Sequence, residues 1–159
     1  MYASTKAELL IMVQNDKFAA AIDDGLPAIA AEATDPLESV MAVMRPVVVC
    51  AREQIDNGRL YLHELVFGDP AEPNRREGLA RAARLEDGIA QVLARDGALD
   101  QADATTVARV VSAIIHLSVT ATIHMQQSDG TVLDDIRGQV RAVLAPHRGA
   151  ASQRPMAVS

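Results

Sequence analysis

The spacing of apolar residues along the chain predicts six helices and no strand. From about residue 6 to 24, Leu10, Ile11, Phe18 and Ile22 fall on one side of a helix, with Asp16 and Asp23 opposite. That spacing is the repeat of an amphipathic helix. Thr5 and Glu8 stand where each side chain can reach the other's backbone N–H, a capping box. Gly25 and Pro27 end the segment. Pro-Ala-Ile-Ala-Ala-Glu-Ala-Thr-Asp reads as a linker or a short extra turn.

The second helix opens at Asp35-Pro36, an N-cap with proline at the first helical position. It carries the clearest stripe in the chain: Leu37, Val40, Met41, Met44, Val47, Val48, Ala51 and Ile55. Pro46 interrupts it opposite the stripe, which predicts a bend convex toward solvent. Asp-Asn-Gly at 56–58 is expected to close it. A short third helix, 59–67, is apolar on most sides and should wedge inward. The fourth is expected to start at Asn74, with Glu77 completing the cap, and carries Leu79, Ala82, Leu85, Ile89, Val92 and Leu93 until Gly97. Asp100 caps a fifth helix expected to reach about Gln126. Thr131 caps a sixth with Val132, Leu133, Ile136, Val140, Val143 and Leu144. From Pro146 onward a disordered tail is expected.

The fifth helix sets a packing problem. Between Val107 and Ile123 its only charged side chain is Arg109. One side carries Val107, Val110, Ile114, Leu117 and Ala121, and the other Ala108, Val111, Ile115 and Val119. A helix apolar nearly all round must be covered on several faces. Five companion helices in one subunit can do this. So can a second copy, if the last two helices of each subunit form a four-helix bundle across a two-fold axis. The dimer is the expected solution, with Val107, Val110, Ile114, Leu117, Ala121, Ile136, Val140 and Val143 at the interface.

Composition sharpens this reading. The 159 residues are 49% apolar but only 3% aromatic, so the core must be aliphatic, which suits packed helices. A formal charge of -6 argues against a nucleic-acid surface within this chain. Cys50, the only cysteine, excludes an internal disulfide and is expected to be a buried structural thiol. No signal peptide is evident, and the long uncharged run from Val110 to Ser128 is diluted by His116, His124, Gln126 and Gln127. No membrane span and a cytoplasmic location are therefore expected.

No phosphate loop, nucleophile elbow or His-Glu-x-x-His occurs. A metal-dependent enzyme using His63, His116 and His124 lacks recognisable ligand spacing, so no cofactor, no metal and no catalysis are expected. Candidate ligand contacts are Met41, Met44 and Val48 on the second helix, which line a pocket or fill the core. Arg45 and Arg52 flank that stripe, as anion contacts or as edge residues with buried stems. Tyr61 and Phe67 belong to pocket or core, and His63 to the solvent side beside Glu64. Arg109, Ser112, His116 and Thr120 form a polar ridge that orients a ligand or is satisfied across a dimer seam.

The opening Tyr-Ala-Ser-Thr-Lys-Ala-Glu-Leu-Leu resembles the pattern that closes the DNA-binding unit of the tetracycline-repressor (TetR/AcrR) family of regulators. Tyr2, Lys6, Glu8, Leu9 and Leu10 match its tail, while Ala3 stands where the family places a bulky Phe. Thr-Asp-Pro-Leu-Glu-Ser-Val at 34–40 is also a common opening of a helix in that family. The resemblance implies that residues 1–5 are the end of a DNA-binding unit whose helix-turn-helix is missing, and that 6–145 form a helical ligand-binding and dimerisation domain ahead of a tail, 146–159. It implies a homodimer, a small apolar or amphipathic effector, and DNA contact only through the missing unit, with Tyr2 and Lys6 able to touch phosphates. The effector would move the first helix as a lever and change the spacing of the two reading heads. The alternative is a helical dimer without a helix-turn-helix that acts by protein association.

Overall fold

The computed structural model describes residues 5–30, 35–95 and 99–148. The chain is all-α: α1 (Lys6–Gly25), α2 (Pro36–Glu53), α3 (Ile55–Phe67), α4 (Pro73–Ala94), α5 (Gln101–Thr120) and α6 (Asp129–Arg148), with short 3-10 turns at Leu26–Ile29 and Thr122–His124. Among the described residues there is no strand. α1 packs on α2 and α4, α4 packs on α5, and α6 closes over α2 and α5. The α2 stripe forms the centre of the core, with Val40, Val43, Met44 and Val48 fully buried beside Ile89, Val111, Ile136 and Val140.

Local chemistry sets the helix starts. The Thr5 hydroxyl accepts from Glu8 N and the Glu8 carboxylate from Thr5 N, so the capping box forms. Asp35 accepts from Leu37 N and Asp100 from Asp103 N. Two starts fall elsewhere than the pattern predicts. The carboxylate of Glu72 caps α4, accepting from Asn74 N and Arg75 N, with Pro73 in the first turn. Asp129 begins α6, and the Ser128 hydroxyl accepts from Thr131 N.

Asp-Asn-Gly at 56–58 is the first turn of α3 and no loop. The chain turns sharply at Gln54 (φ -133°, ψ 82°). Gly58 then lies so close to α2 that a Cβ there would stand 2.0 Å from the Ala51 carbonyl oxygen. A glycine read as a stop signal is in fact the contact that lets α3 fold back along α2. α2 itself continues through Pro46 as one helix, and α6 continues through Pro146 to Arg148. The remainder of the expected tail, 149–159, lies outside the described residues, as do 1–4, part of the linker, 31–34, and the expected stop at Gly97 within 96–98.

α5 stops at Thr120, well short of Gln126. Ala121 is extended (φ -66°, ψ 131°) and the chain enters the second 3-10 turn. No glycine or proline stands at this break, and two arginines from α2 and α3 hold it open. Arg52 is buried with 3% of its side chain exposed. Its Nε donates to Asp129 Oδ1 at 2.6 Å, Nη2 to the Gln127 carbonyl at 2.6 Å and Nη1 to the His124 carbonyl at 3.3 Å. Arg59 Nε donates to the Thr120 carbonyl at 2.8 Å. Carbonyls that a longer helix would have paired internally are thus satisfied by guanidinium N–H groups. Arg52 holds this connection as a structural cation, with its donors spent on the protein.

α5 is long and apolar enough by composition to cross a bilayer. Here Ala104, Ala108, Val111, Ile115 and Val119 form its buried side, packed inside the bundle. Replacing Arg52 by Met should keep the bulk and remove the donors, costing roughly 2–3 kcal/mol of unfolding free energy in urea titration. A change below about 0.5 kcal/mol would contradict the clamp.

Candidate functional site

A cavity of about 420 Å³ lies among α1 to α5, within the size range of small-molecule sites. α1 contributes Phe18 and Ile22, and α2 contributes Val47 and Ala51. Tyr61, Leu62, Leu65 and Val66 of α3 form a third wall. α4 adds Gly78, Leu79, Arg81, Ala82, Leu85 and Glu86, and α5 adds Ile115, Val119 and a polar edge of Arg109, Ser112 and His116. α6 is absent from the lining.

One end of the cavity is fixed by a buried polar chain. Tyr61 Oη donates to Asn15 Oδ1 at 2.8 Å, and Asn15 Nδ2 donates to the Asn74 carbonyl at 2.8 Å, linking α3, α1 and α4. The Phe18 and Tyr61 rings pack with centroids 4.7 Å apart. Gly78 sits against this chain: a Cβ there would approach Leu65 Cδ2 to 2.5 Å and Asn15 Oδ1 to 2.7 Å. Burial pushes the Tyr61 phenol well above its ordinary range, so it stays a neutral donor. Burial, and secondarily His63, pull the His116 imidazole below its ordinary value, so at neutral pH it faces the cavity uncharged. Burial, then Glu53, raises the Cys50 thiol, which keeps it protonated and unreactive.

Of the residues singled out from the sequence, Tyr61 and His116 meet in this cavity, with Ser112 and Arg109 of the same ridge. Met41, Met44 and Val48 are in the aliphatic core and do not line it; their stripe neighbours Val47 and Ala51 do. Arg45 is exposed. Phe67 is 72% exposed, against the His63 ring. Thr120 turns its hydroxyl onto the His116 carbonyl at 2.7 Å. Lys6 is exposed in the first turn of α1, and Tyr2 lies outside the described residues. His124 Nδ1 meets Gln127 Oε1 at 2.8 Å. Among the described residues no three His, Cys, Asp or Glu side chains converge as metal ligands.

The residues expected at a dimer seam divide in two. Val107, Ile136 and Val140 are enclosed by the chain's own helices, while Ile114, Ala121 and Val143 are half-buried. Val110 and Leu117 face solvent, 43% and 66% exposed.

The α4 contribution, Arg81, Ala82, Leu85 and Glu86, was not singled out from the sequence as a site. A signal was present: Gly78 and Ala82 are small residues on the apolar stripe, and at helical spacing Arg81 and Glu86 flank that stripe on opposite edges. Small residues on a buried stripe leave room beside them.

Tyr61→Phe should lower stability by about 1–2 kcal/mol, because Asn15 Oδ1 loses its donor; an unchanged urea midpoint would contradict the polar chain. For His116, the unfolded chain takes up the proton first as pH falls, so acidification destabilises the fold through this group. The stability of the wild type relative to His116→Asn should therefore decline from about pH 7 to about pH 5; a rise over that window would contradict the burial of the imidazole.

Comparison with family models, with curated proteins and with solved structures finds no match to this chain.

Proposed function

We propose that the chain is the ligand-sensing and dimerisation part of a transcriptional regulator similar to the TetR family, taking a small apolar or amphipathic effector into the cavity among α1 to α5. That cavity is the observation that carries the reading. A half-open hollow of about 420 Å³ lined mainly by aliphatic side chains keeps apolar surface in water that a guest would cover. Arg81, Glu86, Arg109, Ser112 and His116 supply the few polar groups such a site uses for orientation.

Coupling follows from the walls. Phe18 and Ile22 of α1 touch the same space as Tyr61 and His116, so a guest that fits one position of α1 better than another shifts its equilibrium. In a longer regulator with a DNA-reading unit ahead of α1, that shift would release DNA. The chain would work in the cytoplasm, as a homodimer whose contact includes Val110 and Leu117, the large apolar side chains that α5 leaves in water. The same exposed face also favours the second reading, a helical dimer that acts by protein association and needs no guest.

Sedimentation equilibrium should show a dimer, and Leu117→Glu should shift it to monomer with helical content retained; a wild-type monomer at every concentration would contradict the dimer. Decanol should raise Tm, since saturation at a hundredfold excess over Kd adds about 2.7 kcal/mol. A dimer whose Tm ignores apolar ligands supports the association reading and contradicts the sensor.

A further inference from the structure

Among the described residues one buried side-chain nitrogen has no hydrogen-bond partner, and it is Nη1 of Arg81. Arg81 belongs to α4 and lines the cavity. Its other terminal nitrogen, Nη2, is held by Glu77 Oε1 at 2.6 Å and lies 3.8 Å from Asp16 Oδ1. Both carboxylates are largely exposed. The guanidinium is therefore gripped by two largely exposed carboxylates, while its second NH₂ group, enclosed by neighbouring atoms, has nothing to donate to, so a guest in the cavity reaches it by a small turn of the Arg81 side chain. Nearly all buried polar groups in folded proteins have a partner, and a charged donor left without one is among the costlier exceptions.

The rest of the lining indicates what would fit. Arg109 also borders the cavity, is exposed, and forms no ion pair among the described residues. Glu86 is the one acidic side chain in the lining, and Arg109 is the cation there that no carboxylate among the described residues pairs. In the same lining, Leu62, Leu65, Leu85, Ile115 and Val119 offer aliphatic surface. We propose that the cavity takes an amphipathic carboxylate, its aliphatic body lying along those side chains and its carboxylate accepting from Arg81. A carboxylate suits this position because a charge-assisted hydrogen bond to guanidinium is roughly twice as strong as a neutral one. One free NH₂ group and the opposing Glu86 favour a monoanion over a phosphate dianion. The inference rests on the reading of the cavity as a ligand site and names the class of ligand.

The test uses the full chain with two probes of matched length, decanoate and decanol, titrated calorimetrically against the wild type, Arg81→Met and Glu86→Gln. Circular dichroism confirms that the variants fold. Arg81→Met should weaken decanoate about tenfold or more while changing decanol less than about twofold, the loss of one charge-assisted contact. Glu86→Gln should tighten decanoate severalfold and leave decanol unchanged. If decanol binds and Arg81→Met weakens both probes equally, or neither, the carboxylate proposal is overturned and the ligand site stands. If the wild type binds neither probe, both readings are overturned.

Discussion

Arg52 is a cation almost wholly removed from water, and it survives there because each of its three nitrogens donates to an oxygen: Asp129 Oδ1 and the carbonyls of His124 and Gln127. Removing a guanidinium from water is expensive unless it is paired and hydrogen-bonded in this way. The consequence is architectural. Arg52 at the end of α2 and Arg59 at the start of α3 fix where α5 stops, and the stop decides that α6 turns back onto α2 and α5. Arg59 also ties the C-terminal end of α5 to α3. The cavity lies between these helices, with Val47, Ala51, Leu62 and Leu65 on one side and Ile115, His116 and Val119 on the other.

α5 then serves two spaces at once. Ala104, Ala108 and Val111 close the core, while Ser112 and His116, a quarter-turn or so further round, face the hollow. Val110 and Leu117 remain on the outer side, unclaimed by this chain. Polar ties join the helices around the hollow. The Asn15–Tyr61 pair near Asn74 does this at one end, and Arg52 with Arg59 at the α5 terminus.

Local chemistry was legible in the sequence where a residue acts on its own neighbours. Thr5 with Glu8, Asp35 and Asp100 each cap the helix that follows, and the α2 stripe from Leu37 to Ala51 is buried as its spacing predicts. Legibility failed where partners are distant in the chain. Nothing near Thr120 ends a helix, because the groups that end it are Arg52 and Arg59, more than sixty residues earlier. Gly58 looks like a turn until Ala51 is seen beside it. The cavity was reached only in part: Tyr61 and His116 carry the polar and aromatic character that marks a site, whereas Arg81 and Ala82 on α4 read as an ordinary helix edge. Met41 and Met44 looked suited to a pocket by residue type, but their angle on α2 points them into the core, one turn from the wall that Val47 provides.

The central claim is that a largely apolar hollow stands preformed among α1 to α5. Xenon is the most direct probe of such a space, since it enters aliphatic cavities without needing any polar contact. A crystal of the chain pressurised with xenon should show it bound between Leu62, Ala82 and Val119. A crystal in which Ala82 and Leu85 close onto Ile115, with no xenon between them, would contradict the account.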